Sequence, residues 1–97
     1  MIPELETEVK IQNKLGLHAR PAALLVEATS KFKSDIYLKK NDMEVNAKSI
    51  LGVMMLAAEC GSTLSVSVAG EDAEEAVKVV VELFENKFGE EDEDQKE

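Results

Sequence analysis

The chain has 97 residues, of which 44% are hydrophobic and 32% charged, and its formal net charge at pH 7 is −9. This length and composition predict a single domain with one modest core, and the acidic balance argues against binding to nucleic acid or to an anionic membrane surface. The lone cysteine, Cys60, excludes an internal disulfide and a cysteine-rich zinc site.

A strand and a helix are predicted in the first third of the chain. Alternation of apolar and polar residues over 7–12 predicts the strand, and residues 13–17 are predicted to form a loop. The helix is predicted from Ala19 to about Ser30. Pro21 is tolerated only in the first turn of a helix, and the residues that follow it are good helix formers.

A hairpin and a short apolar helix come next. Alternation over 35–40 continues over 43–45 after a tight turn, which predicts two antiparallel strands. Ser49 then precedes the run ILGVMMLA, for which it is a natural N-cap. We therefore predict a short helix over 50–57 that begins directly after Ser49.

The C-terminal part predicts one more strand and a final helix. The segment 63–69 alternates with its apolar residues facing one way, which is typical of a half-buried strand. Asp72 and Glu75 have the spacing of a capping box, and the helix they begin is predicted to run to about Phe88. Gly89 is predicted to end that helix.

These elements predict an α+β fold in the order β-α-β-β-α-β-α. One-faced alternation in the strands indicates an antiparallel sheet with one solvated side and helices packed on the other. Residues 1–89 are predicted to form the domain, and the acidic residues 90–97 a disordered tail. The N-terminus lacks the apolar region of a signal peptide and no apolar stretch reaches membrane-spanning length, so a cytoplasmic location is expected.

The only histidine, His18, stands at the predicted start of the first helix, in the run GLHARPA. Unpaired amides and the positive end of the helix dipole favour an anion there, and Arg20 adds a planar, charged donor for phosphate oxygens. The same potential disfavours the imidazolium, and a neutral ring nitrogen is the nucleophile that attack on phosphorus requires. These residues indicate a phosphoryl carrier. The alternative is a capping or partly buried histidine beside a surface arginine.

Small and apolar residues on the first two helices predict a docking surface for partner proteins. A run as continuously apolar as 50–57 cannot bury every side, which favours contact surface for Leu51 and Met54 and core positions for Val53 and Leu56. The candidate docking residues are Ala19, Ala23, Ile50, Leu51, Met54 and Met55.

Two segments resemble the HPr family, the histidine-containing phosphocarriers of the bacterial phosphoenolpyruvate-dependent phosphotransferase system. NKLGLHARPA, residues 13–22, is similar to the active-site motif of that family. NAKSILGVMML, residues 46–56, is similar to its regulatory-serine region, and His18 and Ser49 have the separation that the family shows. The resemblance covers about residues 5–89.

The resemblance implies an open-faced two-layer sandwich, with a four-stranded antiparallel sheet of order 1-4-2-3 and three helices on one face. It implies that His18 accepts phosphate on Nδ1 from enzyme I and donates it to an enzyme IIA, while Arg20 steadies the group. Ser49 corresponds to the position that a dedicated serine kinase phosphorylates in some members. The chain is then expected to be a stoichiometric carrier in sugar uptake and not an enzyme, with no cofactor and no metal.

Two other interpretations stay open. LFENKFGEEDE resembles the nitrogen-related branch of the family, and Met55 stands where sugar-branch members often have a small polar residue. In that case the phosphorylation of His18 or Ser49 would gate binding to a transcriptional regulator or an enzyme. A small enzyme that uses His18 as a general base is disfavoured, because no carboxylate at fixed sequence spacing is expected to orient the ring.

Overall fold

The structure, a computed structural model, describes residues 2–90. The predicted acidic tail therefore lies outside the described residues, except for Glu90. No helix within the described range is both long and apolar enough to cross a membrane. The strands and α-helices are, in chain order, β1 (Glu4–Lys10), α1 (Ala19–Thr29), β2 (Asp35–Lys40), β3 (Met43–Asn46), α2 (Ile50–Met55), β4 (Thr63–Ala69) and α3 (Ala73–Glu85), and a short 3₁₀ segment (Lys87–Gly89) follows α3.

The four strands form one antiparallel sheet of order β1-β4-β2-β3. The last strand in the sequence, β4, lies between β1 and β2 and pairs with both. Its residue Ala69 lies opposite Glu4 of β1 on one side and opposite Asp35 of β2 on the other. The predicted α+β fold, the antiparallel sheet of order 1-4-2-3 and the three helices are confirmed.

The sheet has one buried and one solvated face because successive side chains on a strand point to opposite sides. Helix α3 packs over β1 and β4, and α1 packs against both α2 and α3. The strand side chains beneath the helices are fully buried in β2 and β4 and partly buried in much of β1 and β3, whereas polar and charged side chains alternate with them on the open face. The fully buried residues of the two inner strands, β2 and β4, are Ile36, Leu38, Leu64, Val66 and Val68.

The boundaries of three elements differ from the sequence prediction. Strand β1 begins at Glu4, earlier than predicted, because Leu5 and Thr7 extend the half-buried alternation along β4 while the glutamates between them face solvent. Helix α2 ends at Met55 and α3 ends at Glu85, both shorter than predicted. Apolar residues after the last helical turn continue the buried pattern of the helix although they are not helical. Sequence composition alone therefore overestimates the length of these helices.

The capping box predicted at the start of α3 is wrong. Asp72 is the N-cap residue of α3, but its side chain makes no capping hydrogen bond. Its carboxylate instead accepts from the backbone amides of Lys33 (2.9 Å) and Ser34 (3.0 Å) and from the Ser34 hydroxyl. The Ser34 hydroxyl first, and then the Lys33 amide, lower the pKa of Asp72 below its ordinary value. The carboxylate thereby joins the start of β2 to the start of α3.

Candidate functional site

His18 is the N-cap residue of α1 and has an extended backbone. Its carbonyl accepts from the Ala22 amide at 3.0 Å, while its ring makes no capping bond, so the ring is free to point away from the helix. The side chain is 35% exposed. Because Pro21 has no amide hydrogen, Ala19 and Arg20 supply the N–H groups that head the helix.

Gly16 allows the loop before His18 to adopt its conformation. This residue has φ +73°, and a Cβ there would overlap the carbonyl oxygen of Ala58. The approach is close because the adjacent Leu17 amide donates to that same oxygen at 3.0 Å, and the Gly16 amide donates to Asn13 at 3.1 Å. Only glycine combines this backbone angle with this approach, so the loop has one well-defined path into α1.

A carboxylate lies against the His18 ring, which the sequence did not predict. Glu90 Oε2 is 2.8 Å from His18 Nε2, and Glu90 Oε1 accepts from Asn13 Nδ2 at 3.1 Å. The Glu90 side chain is 13% exposed, and Asn13 is buried and also donates to the Gly16 carbonyl at 2.7 Å. The prediction considered only a carboxylate at fixed sequence spacing and therefore missed this partner, which is 72 residues away along the chain.

A left-handed turn after α3 brings Glu90 to this position. Lys87, Phe88 and Gly89 have φ values of 57°, 55° and 76°, and the Glu90 amide donates to Lys87 at 2.9 Å. Phe88 is buried and packs edge-on against Phe84, with ring centroids 4.9 Å apart. The buried phenyl ring thus anchors the chain just before Glu90. In the sequence, the available signal for this contact was an aromatic residue, Phe88, two positions before Glu90.

Arg20 and Ser49 lie at the starts of two helices that pack together. Arg20 is exposed in the first turn of α1. Ser49 is the N-cap of α2, and its Oγ accepts from the Gly52 amide at 3.0 Å, which confirms the predicted cap. The ammonium group of Lys48 donates to the Phe32 carbonyl at 2.7 Å. Helices α1 and α2 contact each other, so both predicted phosphorylation positions belong to one layer of the molecule.

The predicted docking residues are exposed. Leu51 is the most open of the α2 residues at 72%, and Ala19 and Ala23 are also exposed on α1. Val53 and Leu56 are buried, as the sequence predicts. Leu15, in the loop before His18, is a further exposed apolar residue, which was not among the predicted docking residues. We call the exposed α2 residues the α2 patch, which comprises Ile50, Leu51, Met54 and Met55.

The arrangement around His18 offers a candidate nucleophile. Within residues 2–90, no group of three or more histidine, cysteine, aspartate or glutamate side chains is arranged to hold a metal ion. Cys60 is exposed and its thiol lies 3.7 Å from the Gln12 carbonyl. His18 combines solvent access, a helix N-terminus and a carboxylate behind the ring, which suits attack on an electrophile brought by another molecule.

Comparison with known proteins identifies the family. The family profile described as the PTS HPr component phosphorylation site matches residues 5–86. The phosphocarrier protein HPr of Xylella fastidiosa strain Temecula1 is 52% identical over 86 residues, which cover 89% of this chain and 97% of that protein. The HPr-like protein Crh of Bacillus subtilis is 43% identical over 74 residues, covering 76% of this chain and 87% of Crh.

A solved structure agrees with these sequence relatives. The crystal structure of HPr-C-His from Thermoanaerobacter tengcongensis superposes with a TM-score of 0.86 at 52% identity, covering 90% of this chain and 98% of that one. The profile, the sequence relatives and the fold thus coincide over almost all of the described residues. The chain belongs to the HPr family of phosphocarrier proteins of the phosphotransferase system.

Proposed function

We propose that the chain relays a phosphoryl group through His18, which accepts it from enzyme I and passes it to an enzyme IIA in sugar uptake. The observation that supports this most directly is the placement of the only histidine. It is partly exposed at the head of α1, in a chain of the phosphocarrier family. The relay takes place in the cytoplasm, with the protein acting as a stoichiometric carrier and not as a catalyst.

The transfer step uses the unprotonated ring nitrogen, Nδ1, of His18. Its lone pair forms a bond to phosphorus, while the bond from phosphorus to the donor atom of enzyme I breaks and its electron pair returns to the donor. The N–H groups of Ala19 and Arg20 and the guanidinium of Arg20 receive the phosphoryl oxygens. Transfer onward reverses these roles, with His18 as the leaving group.

A carrier needs a docking surface more than a pocket, because its partners bring the phosphoryl group and any metal ion. The α2 patch, together with exposed Ala19 and Ala23, offers an apolar surface on the two helices that begin near the predicted phosphorylation positions. Methionine side chains adapt to differently shaped surfaces, which suits successive partners. This surface is the proposed contact for both enzyme I and enzyme IIA.

Incubation with phosphoenolpyruvate, Mg²⁺ and enzyme I tests the proposal. The expected product carries one phosphate that is lost in acid and survives base, as a phosphoramidate does. His18→Ala is expected to abolish the label, and Ser49→Ala, the matched control at the other predicted position, is expected to retain it. Absence of label on the native chain, under conditions that label a reference carrier, would contradict the proposal.

Ser49 is proposed as a regulatory phosphorylation site for a dedicated serine kinase and phosphorylase. Its hydroxyl caps α2 directly beside the α2 patch, so a phosphate there adds roughly two negative charges to the docking surface. We expect the Ser49-phosphorylated protein to bind enzyme I more weakly than the unmodified protein in calorimetric titration. Equal affinities of the two forms would contradict this role.

A second candidate function is that of a regulatory module whose phosphorylation state gates binding to a transcriptional regulator, as in a nitrogen-related branch. The similarity to an HPr-like protein, Crh, and the C-terminal segment LFENKFGEEDE favour it. The two functions differ in whether the phosphoryl group passes from His18 to an enzyme IIA. Passage of label from phosphorylated His18 to a sugar-specific enzyme IIA supports the relay, and retention of the label in its presence supports the module.

A further inference from the structure

We infer that Glu90 is a positioning residue that holds the proton of the His18 ring on Nε2 and so keeps Nδ1 unprotonated for attack on phosphorus. The inference rests on the proposed function of His18. Its structural basis is the carboxylate whose two oxygens face His18 Nε2 at 2.8 Å and Asn13 Nδ2 at 3.1 Å. None of the sequence motifs assigned a role to this residue.

The direction of the bond to His18 follows from the acceptors around Asn13. The Asn13 amide nitrogen faces the Gly16 carbonyl and a Glu90 oxygen, and both of these oxygens accept, so that nitrogen must be the donor. Its donation occupies one oxygen of Glu90 as an acceptor. An ionised carboxylate has no proton to donate, so its other oxygen accepts from His18, which requires the proton on Nε2. In a neutral ring with that proton, the lone pair is on Nδ1.

The carboxylate is held rigidly enough to impose this tautomer. Its side chain is largely buried, Asn13 beneath it is fully buried, and Phe88 anchors the backbone two residues before it. As Nδ1 bonds to phosphorus, positive charge develops on the ring. An anion hydrogen-bonded to the opposite nitrogen stabilises that charge. Glu90 therefore acts through His18 and does not touch the phosphoryl group.

The substitution Glu90→Gln gives the sharpest test because it keeps the size of the side chain and changes only its hydrogen-bonding. The Asn13 donor is expected to attract the new amide oxygen, which turns the amide nitrogen toward His18. That nitrogen donates to Nε2, so the proton of the neutral ring moves to Nδ1 and blocks the attacking lone pair. The same exchange beneath the histidine of a serine protease fixes the wrong tautomer.

We therefore expect Glu90→Gln to slow phosphoryl transfer from enzyme I more than Glu90→Ala does. The expected losses are about 100-fold for Glu90→Gln and about tenfold for Glu90→Ala, which removes the partner without reversing the bond. Glu85→Ala is the matched control, since Glu85 is an exposed acid at the end of α3, and it is expected to keep the native rate. A role in stability alone predicts the opposite order, with the isosteric variant milder than the truncation.

A spectroscopic measurement reads the tautomer without any phosphoryl donor. Because His18 is the only histidine, histidine labelled with ¹⁵N gives a single pair of ring resonances. At a pH where the ring is neutral, we expect a protonated-type Nε2 and an unprotonated-type Nδ1 in the native protein, the reverse in Glu90→Gln, and averaged shifts in Glu90→Ala.

Two results would overturn the inference: the same tautomer in all three proteins, or faster transfer by Glu90→Gln than by Glu90→Ala. Failure of the relay would appear separately, as absence of label on the native protein. The ring spectra would still report whether Glu90 selects the tautomer.

Discussion

At the scale of single residues, the two predicted phosphorylation positions differ in how they begin a helix. His18 occupies a helix N-cap without capping the helix, whereas Ser49, at the start of α2, uses its hydroxyl to do so. A capping side chain at His18 would occupy an amide that a phosphate can use. The residue that begins α1 therefore leaves the helix end open, and its ring is supported from the other side by Glu90.

Arg20 is expected to affect chemistry and not stability. Arg20→Ala should slow phosphoryl transfer about tenfold or more, because a charge-assisted contact to the phosphoryl oxygens is lost. It should change the free energy of unfolding by less than about 0.5 kcal/mol, since exposed arginines add little stability. Transfer rates and urea unfolding of the same preparation test both parts. Marked destabilisation would show that Arg20 is structural.

Gly16 is expected to be required for the path of the loop. Gly16→Ala should be strained by the positive φ and by overlap with the Ala58 carbonyl, whereas Gly61→Ala meets the first penalty alone, with open space at its Cβ position. We expect a loss of about 1 kcal/mol in the free energy of unfolding for Gly61→Ala and at least about 1 kcal/mol more for Gly16→Ala. Denaturant unfolding measures both, and equal losses would contradict the role of the close approach.

At the scale of elements, side chains hold the ends of elements in place, in one case across a long sequence separation. Asp72 connects the start of α3 to the start of β2 through Lys33 and Ser34. Phe88 fixes the turn after α3 by packing on Phe84. These contacts set where the ends of the elements lie, and the second of them decides where Glu90 meets the ring of His18.

The Asp72 connection is expected to depend on pH. The pKa of Asp72 is lowered in the folded protein, so its contribution to stability is complete above about pH 4 and is lost as the pH falls through the lower folded value. Asp72→Asn should therefore lower the melting temperature near neutral pH, and the difference from the native protein should shrink on acidification below about pH 4. Melting curves from pH 2.5 to 7 test this. A difference that stays constant across that range would rule out the charged carboxylate as its cause.

At the scale of the whole molecule, the two sides of the described chain differ in character. The open face of the sheet carries alternating charged and polar residues, while the helix layer presents the α2 patch to solvent. Apolar residues grouped on one exposed surface are typical of protein contact sites. The molecule is therefore expected to meet its partners through the helix layer, on which the starts of α1 and α2 both lie.

Leu51 is expected to contribute to partner binding without stabilising the fold. Leu51→Ala should weaken the affinity for enzyme I by about tenfold, because it truncates an apolar contact worth about 1 to 2 kcal/mol. Ile2→Ala is the matched control, since Ile2 has a similar size and exposure, 65% against 72%, and precedes β1 outside the patch. Titration calorimetry measures both affinities. Equal weakening by the two substitutions would argue against docking through the α2 patch.

The sequence by itself determined the fold and located the only histidine at the start of α1. Alternation placed three of the four strands correctly, Pro21 and Ser49 located the starts of two helices, and the family resemblance supplied the strand order. These signals are local or are carried by whole motifs, so they can be recognised in the sequence without knowledge of the tertiary contacts. The apolar run after Ser49 also separated buried Val53 and Leu56 from the exposed patch.

Only the tertiary structure decided which distant groups meet. The carboxylate of Asp72 accepts hydrogen bonds from donors of another segment and not from its own helix. Glu90, which the sequence predicted to lie in a disordered tail, contacts the ring of His18. Local spacing predicts hydrogen bonds within one element, but a buried donor or acceptor is satisfied by whatever group the packed core brings within reach. The partner of the ring was thus fixed by the packing of Phe88 and not by its position in the sequence.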